Sequence, residues 1–336
     1  MISKNKRVIS ITTNLARYGG AQKVLVDVHN GLKKLYDCKI TGIQKFTELH
    51  PKYSVEEVEY LKFRPSVLRN NIVLVHARNL IPIMVFLDRI LFLNAQIIYV
   101  SHNVYTTYRH LTFFPKNIVS ISNSVTSNLL NYFKIRGKKI KLIYNGIEDM
   151  FDTLSVSRGY KEGGIIKILY VARVNNVKRQ VRIVESLKGK LDSNIQIHFA
   201  GEGKDLDKLR EICDGSLNFF VLGFVENMNR LVADYDYLML YSSQEGLPLA
   251  LLEGIMCMRP ILVNDVGGNL EIGVPGKNGV ELNENWNTLH EQLNNLNSIT
   301  HLKYKEMAEA SRQLFLEKFS YGNMIEKYSE LIESLI

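Results

Sequence analysis

Short, nearly continuous apolar runs alternate with longer segments of helical period along the whole chain, and this alternation constrains the fold more than any other feature. In the first half, residues 8–12, 39–43, 72–75, 96–100, 118–121 and 141–144 read as strands. Residues 21–35 place Val24, Leu25, Val28, Leu32 and Leu35 at helical spacing. A strand that is apolar along its whole length is buried on both faces, and the intervening helices supply the cover. The pattern therefore predicts an α/β chain with parallel sheets wound on both sides. The second half repeats the plan, with strands at 165–171, 195–200, 218–222, 237–241 and 261–263 and helices such as 205–213 and 249–258.

A length of 336 residues suits two domains of this kind. Hydrophobic residues at 46% and charged residues at 23% are enough for two buried cores. Asn145-Gly146 closes the first strand set, and the polar stretch 152–164 opens the second. The expected division is a Rossmann-like domain at 1–150, a linker at 147–164 and a second Rossmann-like domain at 165–320. In 321–336, Met324, Ile325, Tyr328 and Leu331 share one helical face. The two halves repeat an architecture and not a sequence.

The polar start, Met1 to Arg7, leads straight into a strand, so no signal peptide is expected. The most apolar run, 80–93, is broken by Pro82, Asp88 and Arg89 and is too short to span a bilayer. It is expected to be a mostly buried helix. Cys38, Cys213 and Cys257 form no CxxC pair and have no His at metal spacing, so each reads as a small apolar residue in a reducing compartment. Together these features predict a cytoplasmic protein, soluble or peripheral to the inner face of the cytoplasmic membrane.

Charge is unevenly placed. Residues 1–150 carry 22 Lys and Arg against 9 Asp and Glu, whereas 151–336 carry 20 against 25. A basic half beside an acidic one suits contact with an anionic surface, such as anionic lipid or a lipid-linked phosphate, or lysines that serve only solubility. Basic motifs interleaved with aromatics and recognition helices are missing, which argues against nucleic acid.

Doubly wound domains bind ligands beyond the carboxyl ends of their strands, so the chemistry is expected in those loops, facing a cleft between the halves. The segment Glu245-Gly246-Leu247-Pro248-Leu249, running on to Glu253, follows strand 237–241. Pro248 suits the first turn of a helix. Glu253 falls inside that helix among Leu251, Leu252, Ile255 and Met256, where a carboxylate needs a partner. Vicinal sugar hydroxyls would serve, and so would simple exposure at a helix edge. Arg173 and Lys178, with Arg179, follow strand 165–171 and read either as an anion site or as a solvated turn. Gly19-Gly20 before the first helix is a weaker phosphate-loop candidate, and Gly267-Gly268-Asn269 is a similar nest. Gly201-Glu202-Gly203-Lys204 lacks the ending of a phosphate loop and reads as a turn. His102, after strand 96–100, could contact a sugar hydroxyl, shuttle a proton or be structural. Asp234-Tyr235-Asp236 mimics a metal-binding DxD but precedes a buried strand, so it reads as a strand-entry cap and no metal is assigned.

With these residues in place, the chain resembles the retaining glycosyltransferase family 4 enzymes of the GT-B fold over essentially its full length. Glu245 and Glu253, eight positions apart, look like that family's most specific motif. Cys257-Met258-Arg259-Pro260 and Asp265 to Glu271 look like its continuation. Arg173 with Lys178 looks like its diphosphate pair, and Gly223-Phe224-Val225 like its nucleobase loop. Asn145-Gly146-Ile147 looks like its hinge. The resemblance implies two Rossmann-like domains facing a cleft, with the final helix crossing back to the first. It implies that Arg173 and Lys178 neutralise the leaving diphosphate. Glu253 would hold the ribose, Glu245 the donor sugar, His102 would lie near the transferred sugar, and Gly20 would approach the phosphate. Gly246, Leu247, Pro248 and Leu249 would line the donor. It implies a metal-independent transfer without cofactor, from a nucleotide sugar with UDP favoured over GDP, to a glycan or lipid-linked acceptor in surface polysaccharide or glycolipid assembly. A nucleotide-sugar epimerase of the same fold and a non-catalytic nucleotide-sugar-binding subunit are the other readings. The sequence departs from the family at Ala172, Arg179 and Asn269-Leu270, which touches the phosphate loops and not the class.

Overall fold

A computed structural model describes residues 7–153 and 160–336. Of the expected linker 147–164, residues 154–159 lie outside the described residues, as do residues 1–6 of the polar start. The chain divides into two compact units. The first runs to Asn145 and takes up Tyr321–Ile336, and the second is Gly146–Ser320.

In the first unit the described strands are β1 (Val8–Ile11), β2 (Cys38–Gly42), β3 (Tyr60–Lys62), β4 (Ile72–Val75), β5 (Gln96–Ser101), β6 (Asn117–Ser120) and β7 (Lys139–Leu142). They form one parallel sheet in the order β3-β2-β1-β4-β5-β6-β7. In register, Val8 of β1 faces Cys38 on one side and Ile72 on the other. Every residue of β1 and β4 is buried, as continuous apolar runs require. The helix Gly20–Leu32 turns Val24, Leu25, Val28 and Leu32 inward, each side chain contributing about 1.5–3 kcal/mol by its burial. Its other flank receives the helix Tyr321–Glu333. Gly31 permits this approach, since a Cβ there would stand 2.3 Å from Ile325 Cδ1. Tyr321 donates a hydrogen bond to the Asp27 carbonyl at 2.8 Å, and Tyr36 and Ser329 share one at 2.7 Å.

The second unit carries β8 (Ile166–Val171), β9 (Ile195–Ala200), β10 (Phe219–Gly223), β11 (Tyr237–Leu240), β12 (Ile261–Val263) and β13 (Gly279–Glu281), parallel, in the order β10-β9-β8-β11-β12-β13. The helix Leu249–Met256 lies against β11 and β12, burying Leu251, Leu252, Ile255 and Met256. Gly254 lets it sit close: a Cβ there would meet Leu238 Cδ2 at 2.9 Å and Ile261 Cδ1 at 3.1 Å.

In both sheets the strand order reverses once, between β1 and β4 and between β8 and β11. The connections on either side of such a point leave in opposite directions and open a crevice beyond the strand ends.

The structure corrects three expectations. The edge strands β3 and β13 were not expected, and each is only three residues long. The first helix stops at Leu32, leaving Leu35 55% exposed. The run 80–93 is not mostly buried. Its helix, Ile81–Ile90, buries Ile81 and Met84 but leaves Ile83, Phe86 and Ile90 exposed. Among the described residues no helix is long and apolar enough to cross a membrane.

Candidate active site

The second sheet's reversal point brings together two loops that are distant in sequence. Residues 172–179 follow β8, and 241–248 follow β11. Lys178 from the first makes an ion pair with Glu245 from the second. The pair is largely enclosed, with side-chain exposures of 21% and 7%. The loops are pinned from below by Tyr170, a fully buried residue of β8. Its hydroxyl donates to the Lys178 carbonyl at 2.6 Å and accepts from the Tyr241 amide at 3.0 Å. Burial pushes that phenol well above its usual range, so it stays a neutral donor. The Ser243 amide donates to the Val177 carbonyl at 2.8 Å, closing the loops together.

Local chemistry explains each loop. The Lys178 amide donates to Asn175, at 3.0 Å to the carbonyl and 3.1 Å to Oδ1, a side-chain turn typical of Asn. Arg173 starts the loop and is exposed, and its carbonyl accepts from Gln180 Nε2 at 3.1 Å. Arg179 holds φ +57° at the entry to the helix Gln180–Leu187, and its guanidinium reaches Glu284 at 2.7 Å. Gly201 and Gly203 belong to an irregular segment pressed on this loop, just before a turn at Lys204-Asp205. A Cβ on either would stand 2.1 Å from the carbonyl oxygen of Ala172 or Val174.

Around Glu245, Asn264 crosslinks the neighbouring strand ends. It accepts from the Ser242 amide at 3.1 Å, donates to the Ser242 carbonyl at 2.8 Å and donates to Glu284 at 2.9 Å. Gly267 sits at φ +60° with the Glu245 carbonyl oxygen 2.4 Å from where a Cβ would be. The Gly268 amide donates to the Gly246 carbonyl at 2.8 Å. The expected nest at 267–269 therefore packs directly on the Glu245 loop. Gly246 and Leu247 are buried, while Leu249 opens the helix. Pro248 is the residue that caps that helix, one position earlier than expected. Glu253, half-buried, is the helix's fifth residue. Gly223 ends β10 at φ +70°, followed by exposed Phe224 and half-buried Val225.

The Asp234-Tyr235-Asp236 segment is structural at its second carboxylate. Asp236 is buried, and its side chain accepts from the Lys167 amide at 2.8 Å. Among the described residues no cluster of three or more His, Cys, Asp or Glu has metal-binding geometry. Burial raises the thiols of Cys38 and Cys257 to about 12 and that of Cys213 to about 11, leaving them unreactive.

In the first unit, Gly19 caps the helix Gly20–Leu32 beyond β1, and its amide donates to the Tyr53 hydroxyl at 3.2 Å. A 13-residue helix aimed this way offers free amides at its N-terminus. His102 beyond β5 is buried and stacks on a second histidine, His76, at the end of β4. His102 Nε2 and His76 Nδ1 share a hydrogen bond of 2.9 Å. Sequence reading missed His76. The one signal available was its place after a strand, the same that marked His102.

Burial holds His102 down at about 4, and burial together with His102 holds His76 well below its usual 6.5. Both rings are therefore neutral near neutrality. In the unfolded chain they take protons near 6.5, so the unfolded state gains protons first as pH falls. The His102 contribution is complete above pH 6.5 and is lost on acidification towards about pH 4, and the His76 contribution is lost in the same direction. Urea-unfolding curves across that window are expected to show a shallower pH slope for His102→Gln than for the wild type. Equal slopes would count against the buried neutral pair.

The family model described as "Glycosyl transferases group 1" matches residues 158–314, so the second unit carries that domain. An uncharacterised glycosyltransferase of Methanocaldococcus jannaschii is 24% identical over 65% of this chain and 58% of its own length. The O-antigen biosynthesis glycosyltransferase WbnH of Escherichia coli is 27% identical over 49% of this chain and 46% of its own. The chain thus spans about half the length of the curated relatives it matches. The solved structure of Anabaena Alr3699/HepE with UDP and glucose superposes with a TM-score of 0.80, covering 98% of this chain and 100% of that one at 13% identity. That likeness shows the fold, which is GT-B.

Proposed function

We propose that this chain, built on a GT-B frame with a group 1 glycosyl transferase domain, moves a hexose or N-acetylhexosamine from a nucleotide sugar to an acceptor hydroxyl with retention at the anomeric carbon. The observation that carries the reading is the Lys178–Glu245 pair at the reversal point of the second sheet. An ammonium has three donors. With one given to Glu245, the others are available to a diphosphate, and the exposed Arg173 adds a bidentate donor. Fixed cations aimed at charge that grows on the leaving phosphate stabilise the transition state more than the ground state. In this reading they do so without a metal or cofactor. The second oxygen of Glu245 accepts from the donor sugar's hydroxyls, and Glu253 accepts from both ribose hydroxyls. The loop of Gly223, Phe224 and Val225 meets the base, and Gly246 to Leu249 line the donor. Gly20 presents a helix-terminal amide to phosphate, and neutral His102 holds a hydroxyl of the transferred sugar. The acceptor attacks from the leaving-group face, and the departing diphosphate takes its proton.

UDP is favoured as the carrier because the superposed Anabaena protein binds UDP and glucose. A glycan or lipid-linked acceptor is favoured because a relative acts in O-antigen biosynthesis. The buried free thiols suit a cytoplasmic setting. The test is nucleotide release over a panel of UDP- and GDP-sugars, with and without a cellular lipid extract and with chelator throughout. Release with one UDP-sugar, stimulated by the extract and unchanged by chelator, is expected. Donor binding without release would make the chain a non-catalytic subunit. Epimerisation of the donor without acceptor would make it an epimerase. An inverted anomeric centre in the product would overturn retention.

A further inference from the structure

The run 80–93 forms a surface and not part of the core. Phe86 is 62% exposed, Ile90 54% and Phe92 84%. Phe92 also has φ +47°, a region that a bulky side chain rarely adopts. A strained turn that holds an aromatic ring out into solvent is a costly feature for a surface without a partner. Across from the helix Ile81–Ile90, Phe113 in the segment 112–114 is about two-thirds exposed. The two segments flank an open groove of about 910 Å³, with Phe86, Phe113 and Phe133 in its lining and Arg89, Arg136 and Lys138 among the lining cations. An exposed apolar patch of this extent marks an interaction surface.

Charge identifies the partner. Between residues 78 and 141 the chain carries nine Lys and Arg and a single acidic residue, Asp88. The Asp88 carboxylate accepts from the Ala95 amide at 2.8 Å, so it is engaged in its own loop. Protein interfaces deplete lysine, whereas an apolar, aromatic face with cations of one sign fits the headgroup boundary of an anionic bilayer. We propose that this face seats the first unit on an anionic membrane. Phe86, Ile90 and Phe92 enter the acyl boundary, and Arg89, Arg136 and Lys138 meet lipid phosphates. Seating there does not depend on glycosyl transfer, so the two readings fail separately.

The test sediments the full chain with vesicles of phosphatidylcholine alone or mixed with phosphatidylglycerol, at low and high salt. Binding is expected only to the anionic vesicles and is expected to weaken in high salt. The double variant Phe86→Ser/Phe92→Ser and the separate variant Arg136→Glu each lose about tenfold in vesicle affinity. All these side chains are exposed, so both variants are expected to keep the wild-type rate of nucleotide release with a soluble acceptor. Equal binding to neutral vesicles, or variants that bind as the wild type does, would overturn the proposal. Self-association abolished by Phe92→Ser would overturn it in favour of a second copy of the chain.

Discussion

Replacing Lys178 with Ala is expected to lower kcat at saturating donor by about 10²–10³-fold, the usual cost of removing one preorganised charge donor from a transition state. In the proposed reaction the effect falls on kcat, because the ammonium would meet charge that grows as the glycosidic bond breaks. The substitution also leaves Glu245, 6% exposed, without its cation. An uncompensated buried carboxylate is destabilising, so part of any loss of rate could reflect a displaced loop. Two measurements separate the effects. The double variant Lys178→Ala/Glu245→Gln removes the orphaned charge and is expected to regain thermal stability, which isolates the cost of the unpaired carboxylate. Lys178→Arg keeps the charge but spreads it over a rigid planar fork, and is expected to recover only part of kcat. A Lys178→Ala enzyme turning over at nearly the wild-type rate at saturating donor would remove Lys178 from the diphosphate site.

Much of this architecture was legible in the sequence because buried parallel strands read as continuous apolar runs. The central strands β1, β4, β8 and β11 lie where Val8, Ile72, Ile168 and Tyr237 predicted them. The three-residue edge strands carry too little apolar sequence to be seen: Tyr60 and Leu61 of β3 are only half-buried. Periodicity also cannot say whether an apolar run faces core or solvent, which is why 80–93 was misread. The elements bearing the candidate residues were visible, but their pairing was not. Lys178 and Glu245 stand 67 positions apart, and only the adjacency of β8 and β11 joins them. His76 had no motif around it and emerges only as the ring against His102. At Gly267 the sequence suggested an anion nest, and the structure adds a close contact with the neighbouring Glu245 backbone that no sequence pattern reveals.

That contact gives Gly267→Ala a large expected effect although Gly267 is outside the candidate ligand-contacting residues. A Cβ there would stand 2.4 Å from the Glu245 carbonyl oxygen, 2.7 Å from its carbon and 2.9 Å from its Cβ. Neither backbone can absorb such an overlap by rotating a side chain, so the Glu245 loop must move. A displacement of about 1 Å at a positioned group costs about 10²-fold in rate. The left-handed φ of +60° adds about 1–2 kcal/mol of strain for any residue with a Cβ. Gly276→Ala isolates that second contribution, because Gly276 has φ +76° with nothing within 4 Å of its Cβ position. Both variants should therefore melt a few degrees lower, by about 2–4 °C per kcal/mol in a unit of this size. Only Gly267→Ala should also lose kcat, while Gly276→Ala stays near the wild-type rate. If the two variants turned over alike, backbone strain alone would explain Gly267, and the Glu245 loop would not need its present position for catalysis.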